Sequence, residues 1–275
     1  MAPAASTLDL SRWCLRRRGP ARARGRRRQP TAAAAGRGRR RACGGAAAGA
    51  LAATLARPWA AQAAQQQQQR LVSEDGGFEL MVPGSFLVAA NRAVAGASRA
   101  QTLAIATDLR RKAVLSVRQE PVPAALRALL DETTAPTAEQ VARALTAPLA
   151  DAVAQGEAKA AVGGVLYGES GTVGFSLDGW DAGLRAQRPY FSLAYTAEVC
   201  RGKIGAEGMG GRLSCDAPDG KGPLPTIRRR SRCVSALRKG MVLTLRASAE
   251  ERVWDDDQFD REVDEALSSF LLLSD

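Results

Sequence analysis

From residue 227 onward the chain changes its hydrophobic period twice without a gap. Met241, Leu243 and Leu245 alternate with Val242, Thr244 and Arg246, the two-residue period of a strand with one more apolar and one more polar face. Residues 227–237 precede it across Arg238, Lys239 and Gly240, and a glycine in so short a connection supplies the positive φ of a hairpin turn. After Asp255, Asp256 and Asp257 the spacing lengthens, and Phe259, Val263, Ala266, Leu267, Phe270 and Leu271 form the stripe of an amphipathic helix. Negative charge at a helix start meets unpaired N–H groups and the positive end of the dipole, so the three aspartates mark where this helix begins. The pattern predicts an antiparallel hairpin with a helix packed on it.

Upstream, residues 102–107 (Leu103 and Ile105 alternating) and 113–119 (Ala113, Leu115 and Val117 alternating) predict two strands joined by the charged turn 108–112. Pro121 and Pro123 end the second, because proline cannot donate to a ladder. Thr137 and Gln140 have capping-box spacing, and Val141, Ala142, Leu145, Leu149 and Val153 continue a helical face. Pro148 inside that face predicts a kink, or two short helices of which it begins the second. Residues 156–189 are glycine-rich and poorly periodic; 160–167 are compatible with a strand and 168–171 with a turn. Alternation returns at Phe191, Leu193, Tyr195, Ala197 and Val199, a strand that should line the core. Residues 201–224, with seven glycines and two prolines, read as a long exposed loop. Gly208, Gly210 and Gly211 lack the Lys-Ser or Lys-Thr and the helix start of a phosphate loop.

Ser235-Ala236, Gly240, Leu243-Thr244-Leu245, Ala247, Glu250-Glu251-Arg252, Trp254 and Ser268-Ser269-Phe270 resemble the C-terminal signature of the PsbP family. Phe78-Glu79-Leu80 with Val82-Pro83 and Phe86 looks like the family's opening strand and turn. The resemblance implies an α/β (α+β) fold, an α-β-α sandwich with a central, mainly antiparallel sheet flanked by helices, over residues 78–275. It also implies a non-catalytic extrinsic protein on the lumenal side of the thylakoid. Such a protein supports a photosynthetic complex: photosystem II with its calcium- and chloride-retaining oxygen-evolving site, photosystem I, or the NAD(P)H dehydrogenase-like complex. Calcium enters as a possible cofactor only through this resemblance. Family members often carry a histidine after the arginine that opens the hairpin; here Arg230 precedes Ser231 and the chain has no histidine, so a histidine-borne metal role does not carry over.

The formal net charge of +11 invites a nucleic-acid reading until it is located. Residues 1–64 hold 14 Arg, no Lys and one acid, a net +13, which leaves −2 for residues 65–275. The basic character therefore belongs to the leader, and the remaining domain, almost neutral overall, is not expected to bind nucleic acid, which needs clustered positive charge to neutralise phosphates. Residues 1–41, rich in Arg, Ala and Gly, have the composition of an organelle transit peptide. Arg39-Arg40-Arg41, an apolar run of about 14 residues too short to span a bilayer, and Ala61-Gln62-Ala63 follow in order. Positive flank, apolar segment and small-x-small site make residues 42–63 a second signal segment of twin-arginine type, with cleavage at Ala61 and Ala63. This bipartite leader resembles that of thylakoid lumen proteins and places the mature chain in the chloroplast; an Arg- and Ala-rich tail without an address is the alternative. Residues 64–77, including the run of glutamines at 65–69, read as a linker.

Lack of histidine removes the Ser-His-Asp and Cys-His pairs from the available chemistry. Cys200, Cys215 and Cys233 follow the leader without a Cys-x-x-Cys pair. A disulfide between Cys200 and Cys215 and three unpaired cysteines both remain open. An alternative function, a lumenal thiol-based redox factor or enzyme, would use Cys233 with its pKa depressed by neighbouring arginines. Asp255, Asp256 and Asp257 are calcium-ligand candidates as well as a helix start. Arg228, Arg229, Arg230 and Arg232 form a basic run, with alternation placing Arg228, Arg230 and Arg232 on one face. It is either a solvated sheet face or a docking surface for an acidic membrane complex.

Overall fold

The computed structural model describes residues 68–73, 77–90, 100–132, 135–156, 170–207 and 212–273. The leader, its Ala61 and Ala63 site, and the strand weighed at 160–167 lie outside these residues. Twelve strands are present among those described: β1 Gln69–Ser73, β2 Phe78–Val82, β3 Leu87–Ala90, β4 Gln101–Asp108, β5 Ala113–Pro121, β6 Gly171–Arg185, β7 Arg188–Cys200, β8 Lys203–Glu207, β9 Arg212–Asp216, β10 Ile227–Arg238, β11 Met241–Glu250 and β12 Leu271–Leu272. The helices are α1 Ala124–Asp131, α2 Ala138–Ala154 and α3 Asp257–Ser269, with a 3₁₀ helix over Glu251–Asp255. The fold is mixed α+β.

A seven-stranded sheet in the order β3-β4-β5-β11-β10-β7-β6 organises the rest, and every pairing in it is antiparallel. Alternation divides its side chains between two cores. On one face Leu115, Val117, Val234, Ala236, Leu243 and Leu245 pack with Phe259, Val263 and Ala266 of α3 and with Phe78 and Leu80 of the small β1-β2-β12 sheet. On the other, Leu193, Tyr195, Ala197 and Cys233 meet Ala142 of α2, while Phe191 and Val242 meet Leu126 of α1 and Val141 of α2. Helices therefore cover both faces.

The C-terminal segment forms as its two periods predict. Lys239 and Gly240 are the two turn residues between β10 and β11, with φ of 49° and 74°. That is the doubly left-handed turn that matches strand twist, and glycine takes its second position without strain. Asp256 is the N-cap of α3, its carboxylate accepting from the N–H groups of Gln258 (2.9 Å) and Phe259 (3.4 Å). The helix ends at Ser269, earlier than the apolar stripe, because Leu271 and Leu272 leave it to pair with β2. The Arg185 guanidinium closes the helix end by donating to the carbonyls of Leu267 (2.7 Å), Ser268 and Phe270 (both 3.3 Å).

Several expectations change. α2 runs through Pro148 as one helix, not two, with the capping box of Thr137 and Gln140 intact. α1 had no clear sequence signal; it is only eight residues and starts after Pro123, whose carbonyl accepts from the Arg127 N–H at 2.9 Å. Part of the segment read as linker is strand β1. Residues 171–185, read as irregular, form the long edge strand β6, in which two register shifts disrupt the alternation. The supposed loop 201–224 contains the β8–β9 hairpin, which is paired over five positions.

Candidate functional site

β10 lies between β7 and β11, so its arginines stand on a central strand rather than an edge. Arg228 and Arg230 are exposed and Arg232 is half-buried, all on the α3 face. Each of them meets the C-terminal segment. Arg228 pairs with Glu251 at 3.1 Å, Arg232 pairs with Asp260 at 2.8 Å and also with Asp264, and the guanidinium groups of Arg230 and Arg232 lie 5.7 and 5.6 Å from the Trp254 ring centroid. Arg229 does not belong to a docking patch. It points to the opposite face, is 1% exposed, and donates to Ser248 Oγ (3.3 Å), the Ser248 carbonyl (3.1 Å) and the Lys112 carbonyl (3.2 Å).

That last contact locates a second group of cations. In the β4–β5 turn, buried Asp108 accepts from the N–H groups of Arg110 (3.0 Å) and Arg111 (3.1 Å). Arg111 turns inward to Glu262 (3.0 Å), Asp256 (3.1 Å) and Asp108 (3.4 Å), and lies 5.5 Å from the Phe259 ring centroid. Partial burial pulls its pKa down, but the carboxylates of Glu262, Asp256 and Asp108 outweigh that and hold it above the ordinary arginine value. Arg110 and Lys112 stay exposed and meet no carboxylate among the described residues. A cleft of about 510 Å³ opens here, lined by Arg110, Arg111, Lys112 and Arg252 against only two carboxylates, Glu250 and Asp256. Leu109, next in sequence to Arg110, is 66% exposed. Trp254 stacks edge-on against Phe259 at 5.1 Å, so this ring pair links the Arg230 side to the Arg111 side.

Asp255, Asp256 and Asp257 are not convergent. Asp255 ends the 3₁₀ helix, Asp256 caps α3 and pairs with Arg111, and Asp257 is the first residue of α3. Among the described residues no group of three or more Cys, Asp or Glu is arranged to hold a metal ion. Cys200 and Cys215 form a disulfide, with Cα atoms 5.5 Å apart, at the base of the β8–β9 hairpin. Cys233 is buried on the α2 face, and burial pushes its thiol up to about 12 despite the attraction of Arg246. The depressed pKa that a redox role would need is therefore not what the arginines produce, because desolvation of the thiolate wins.

No family model matches this sequence. No curated protein sequence matches it either. Among solved structures, the chain is similar to the cyanobacterial PsbP of Synechocystis, with 18% identity, a TM-score of 0.45, and coverage of 75% of this chain and 93% of that one. It is similar to the Ran-binding protein Mog1p of Saccharomyces cerevisiae, with 10% identity, a TM-score of 0.40, and coverage of 76% and 96%. It is also similar to LpqN of Mycobacterium tuberculosis, involved in cell envelope biogenesis, with 12% identity, a TM-score of 0.34, and coverage of 76% and 91%. At TM-scores below 0.5 these likenesses carry no functional argument.

A second concavity lies on the opposite face, between α2 and the β5-β11-β10-β7 part of the sheet, with a volume of about 410 Å³. Leu145, Leu149, Leu193 and Val242 give it apolar walls, and Arg118, Arg246, Thr244 and Ser235 give it a polar floor. The sequence reading missed both this group and the Arg110–Arg252 cleft. Arg118 and Arg246 stand only as the polar partners in two alternations, and Arg110 and Lys112 only as turn residues. Their convergence depends on strand register, which pairs Arg118 with Thr244 and Cys233 with Arg246.

Proposed function

We propose that this chain is a non-catalytic extrinsic protein of the chloroplast thylakoid lumen. It docks through the cationic end of its sheet on the acidic lumenal face of a photosynthetic membrane complex, photosystem II or another, and supports that complex's assembly or stability. The observation that carries the reading is the pair Arg110 and Lys112, exposed cations without a carboxylate partner among the described residues, which line a cleft next in sequence to the exposed Leu109, together with the exposed Arg230 that stacks on Trp254 nearby. An unneutralised charge next to an apolar side chain is the composition of a rim and an anchor. The PsbP-like residues lie next to it: Glu250-Glu251-Arg252 and Trp254 form the 3₁₀ helix and its approach. No helix among the described residues is long and apolar enough to cross a membrane, so attachment in this reading is peripheral. Retention of calcium or chloride belongs, in this reading, to the complex once docked.

Electrostatic docking makes a direct prediction. Thylakoids stripped by a high-salt wash should rebind the protein at low salt, and the Arg110→Glu, Lys112→Glu, Arg230→Glu triple variant should lose at least tenfold in affinity, about 1.4 kcal/mol. Equal rebinding by a triple variant with unchanged circular dichroism contradicts the docking surface.

A further inference from the structure

The cavity between α2 and the sheet has an electrostatic imbalance. Arg118 pairs with Glu120 at 3.1 Å, whereas Arg246 makes no salt bridge among the described residues: it donates to the Tyr195 hydroxyl at 3.3 Å and feels the Glu120 carboxylate only at longer range. The Nε atoms of both guanidinium groups are buried without a hydrogen-bond partner. A donor on a charged group withdrawn from water is costly unless something accepts from it. Two arginines against the one carboxylate of Glu120 leave a net excess of one positive charge, and the space it faces has Leu145, Leu149, Leu193 and Val242 as apolar walls beside the hydroxyl-bearing Thr146, Thr172, Tyr195, Ser235 and Thr244. A volume of about 410 Å³ falls within the range that small-molecule sites occupy, roughly 300–1,000 Å³.

We infer that this cavity binds a small amphiphilic carboxylate, with its apolar body against Leu145, Leu149 and Val242 and its carboxylate on the Arg246 guanidinium. A planar carboxylate matches the donor fork of arginine, and a single negative charge matches the lining's net excess of one positive charge. A phosphate would bring a second charge that nothing in the cavity neutralises and would leave the aliphatic walls without a partner. Cys233 and Tyr195 border the site. The buried thiol is thereby a neutral wall group, consistent with its raised pKa. This inference does not depend on the docking surface, which lies at the end of the sheet and uses none of these side chains.

Calorimetric titration of the purified chain with octanoate, octan-1-ol and inorganic phosphate tests it. Octanoate should bind saturably at one site, octan-1-ol of the same length at least tenfold more weakly, and phosphate not at all. Arg246→Met should cost octanoate at least tenfold while leaving the weak octan-1-ol binding unchanged. Leu149→Trp, which fills the cavity from the α2 side without touching the cation, should abolish both and serves if Arg246→Met does not fold. Absence of saturable octanoate binding, equal affinity for acid and alcohol, phosphate binding as tight as octanoate, or octanoate affinity unchanged in Leu149→Trp overturns the assignment.

Discussion

Arg229 and its neighbours on β10 show how far one position of alternation reaches. The two-residue period places Arg228, Arg230 and Arg232 together and Arg229 opposite, and this much is legible in the sequence. That Arg229 is buried is not legible, because its acceptors lie 19 residues away at Ser248 and 117 residues away at Lys112. Arg229→Met leaves those acceptors without their donors and should destabilise the fold by about 2–4 kcal/mol, from hydrogen bonds to a charged group; urea unfolding measures it. Cys233 gives a second expectation. With its pKa pushed up to about 12, the thiol is protonated at neutral pH, and native protein should be alkylated by iodoacetamide only as fast as it opens. Rapid labelling before unfolding would reinstate a reactive cysteine. Asp256 gives a pH dependence. Slight desolvation pushes its carboxyl up, but the N–H groups of Gln258 and Phe259 and the Arg111 guanidinium outweigh it and hold it below the ordinary 3.8. A depressed carboxyl contributes stability that is present above its unfolded pKa and lost as pH falls through the folded one. Acid unfolding below about pH 4 should therefore be less steep in Asp256→Asn than in the parent.

At the scale of elements, legibility follows the cleanness of the period. β11, α3, β5 and β7 each present a clear alternation or stripe, β4 keeps one apart from a register shift between Thr102 and Ala104, and α2 announces itself by its capping box. Thr137→Ala removes that cap and should cost about 1 kcal/mol in thermal or urea unfolding, while Thr137→Ser should cost little. β6 was hidden for physical reasons. Register shifts between Thr172 and Gly174 and between Leu177 and Gly179 each reset its alternation. Its turn to β7 uses Ala186 and Gln187 at φ of 46° and 61°, where sequence rules look for Asn-Gly. The β8–β9 hairpin was hidden by its glycines, one of which has a packing reason. A Cβ on Gly202 would stand 1.9 Å from the Asp216 carbonyl oxygen, so the chain can return close to itself there only with glycine. The disulfide sits at this crossing. For its 15-residue separation the chain-entropy relation gives about 3 kcal/mol. Reductant or Cys200→Ser with Cys215→Ser should lower the unfolding midpoint accordingly, and an unchanged midpoint would show that the hairpin folds independently of the core.

The described residues form a sheet whose two faces are covered by helices and whose one end gathers charge. The turn at 108–112, the start of β10, the end of β11 and the 3₁₀ helix meet there because β11 is paired to both β5 and β10 in antiparallel register. Sequence alternation identified one contributor to that surface, the Arg228–Arg232 run, but not that Arg232 is committed to Asp260 and Asp264 while Arg110 and Lys112 meet no carboxylate among the described residues. The charge that initially dominates the composition lies in residues 1–64, so the docking proposal rests on local arrangement and not on net charge. The most direct measurement is native-gel separation of solubilised thylakoids at low and high salt, with detection of this protein across the gel. The account predicts co-migration with a photosynthetic complex at low salt and release as a free small protein at high salt, where screening shortens to about 3 Å at 1 M. Migration only as a free protein at both salt concentrations, or absence from thylakoids, would contradict it.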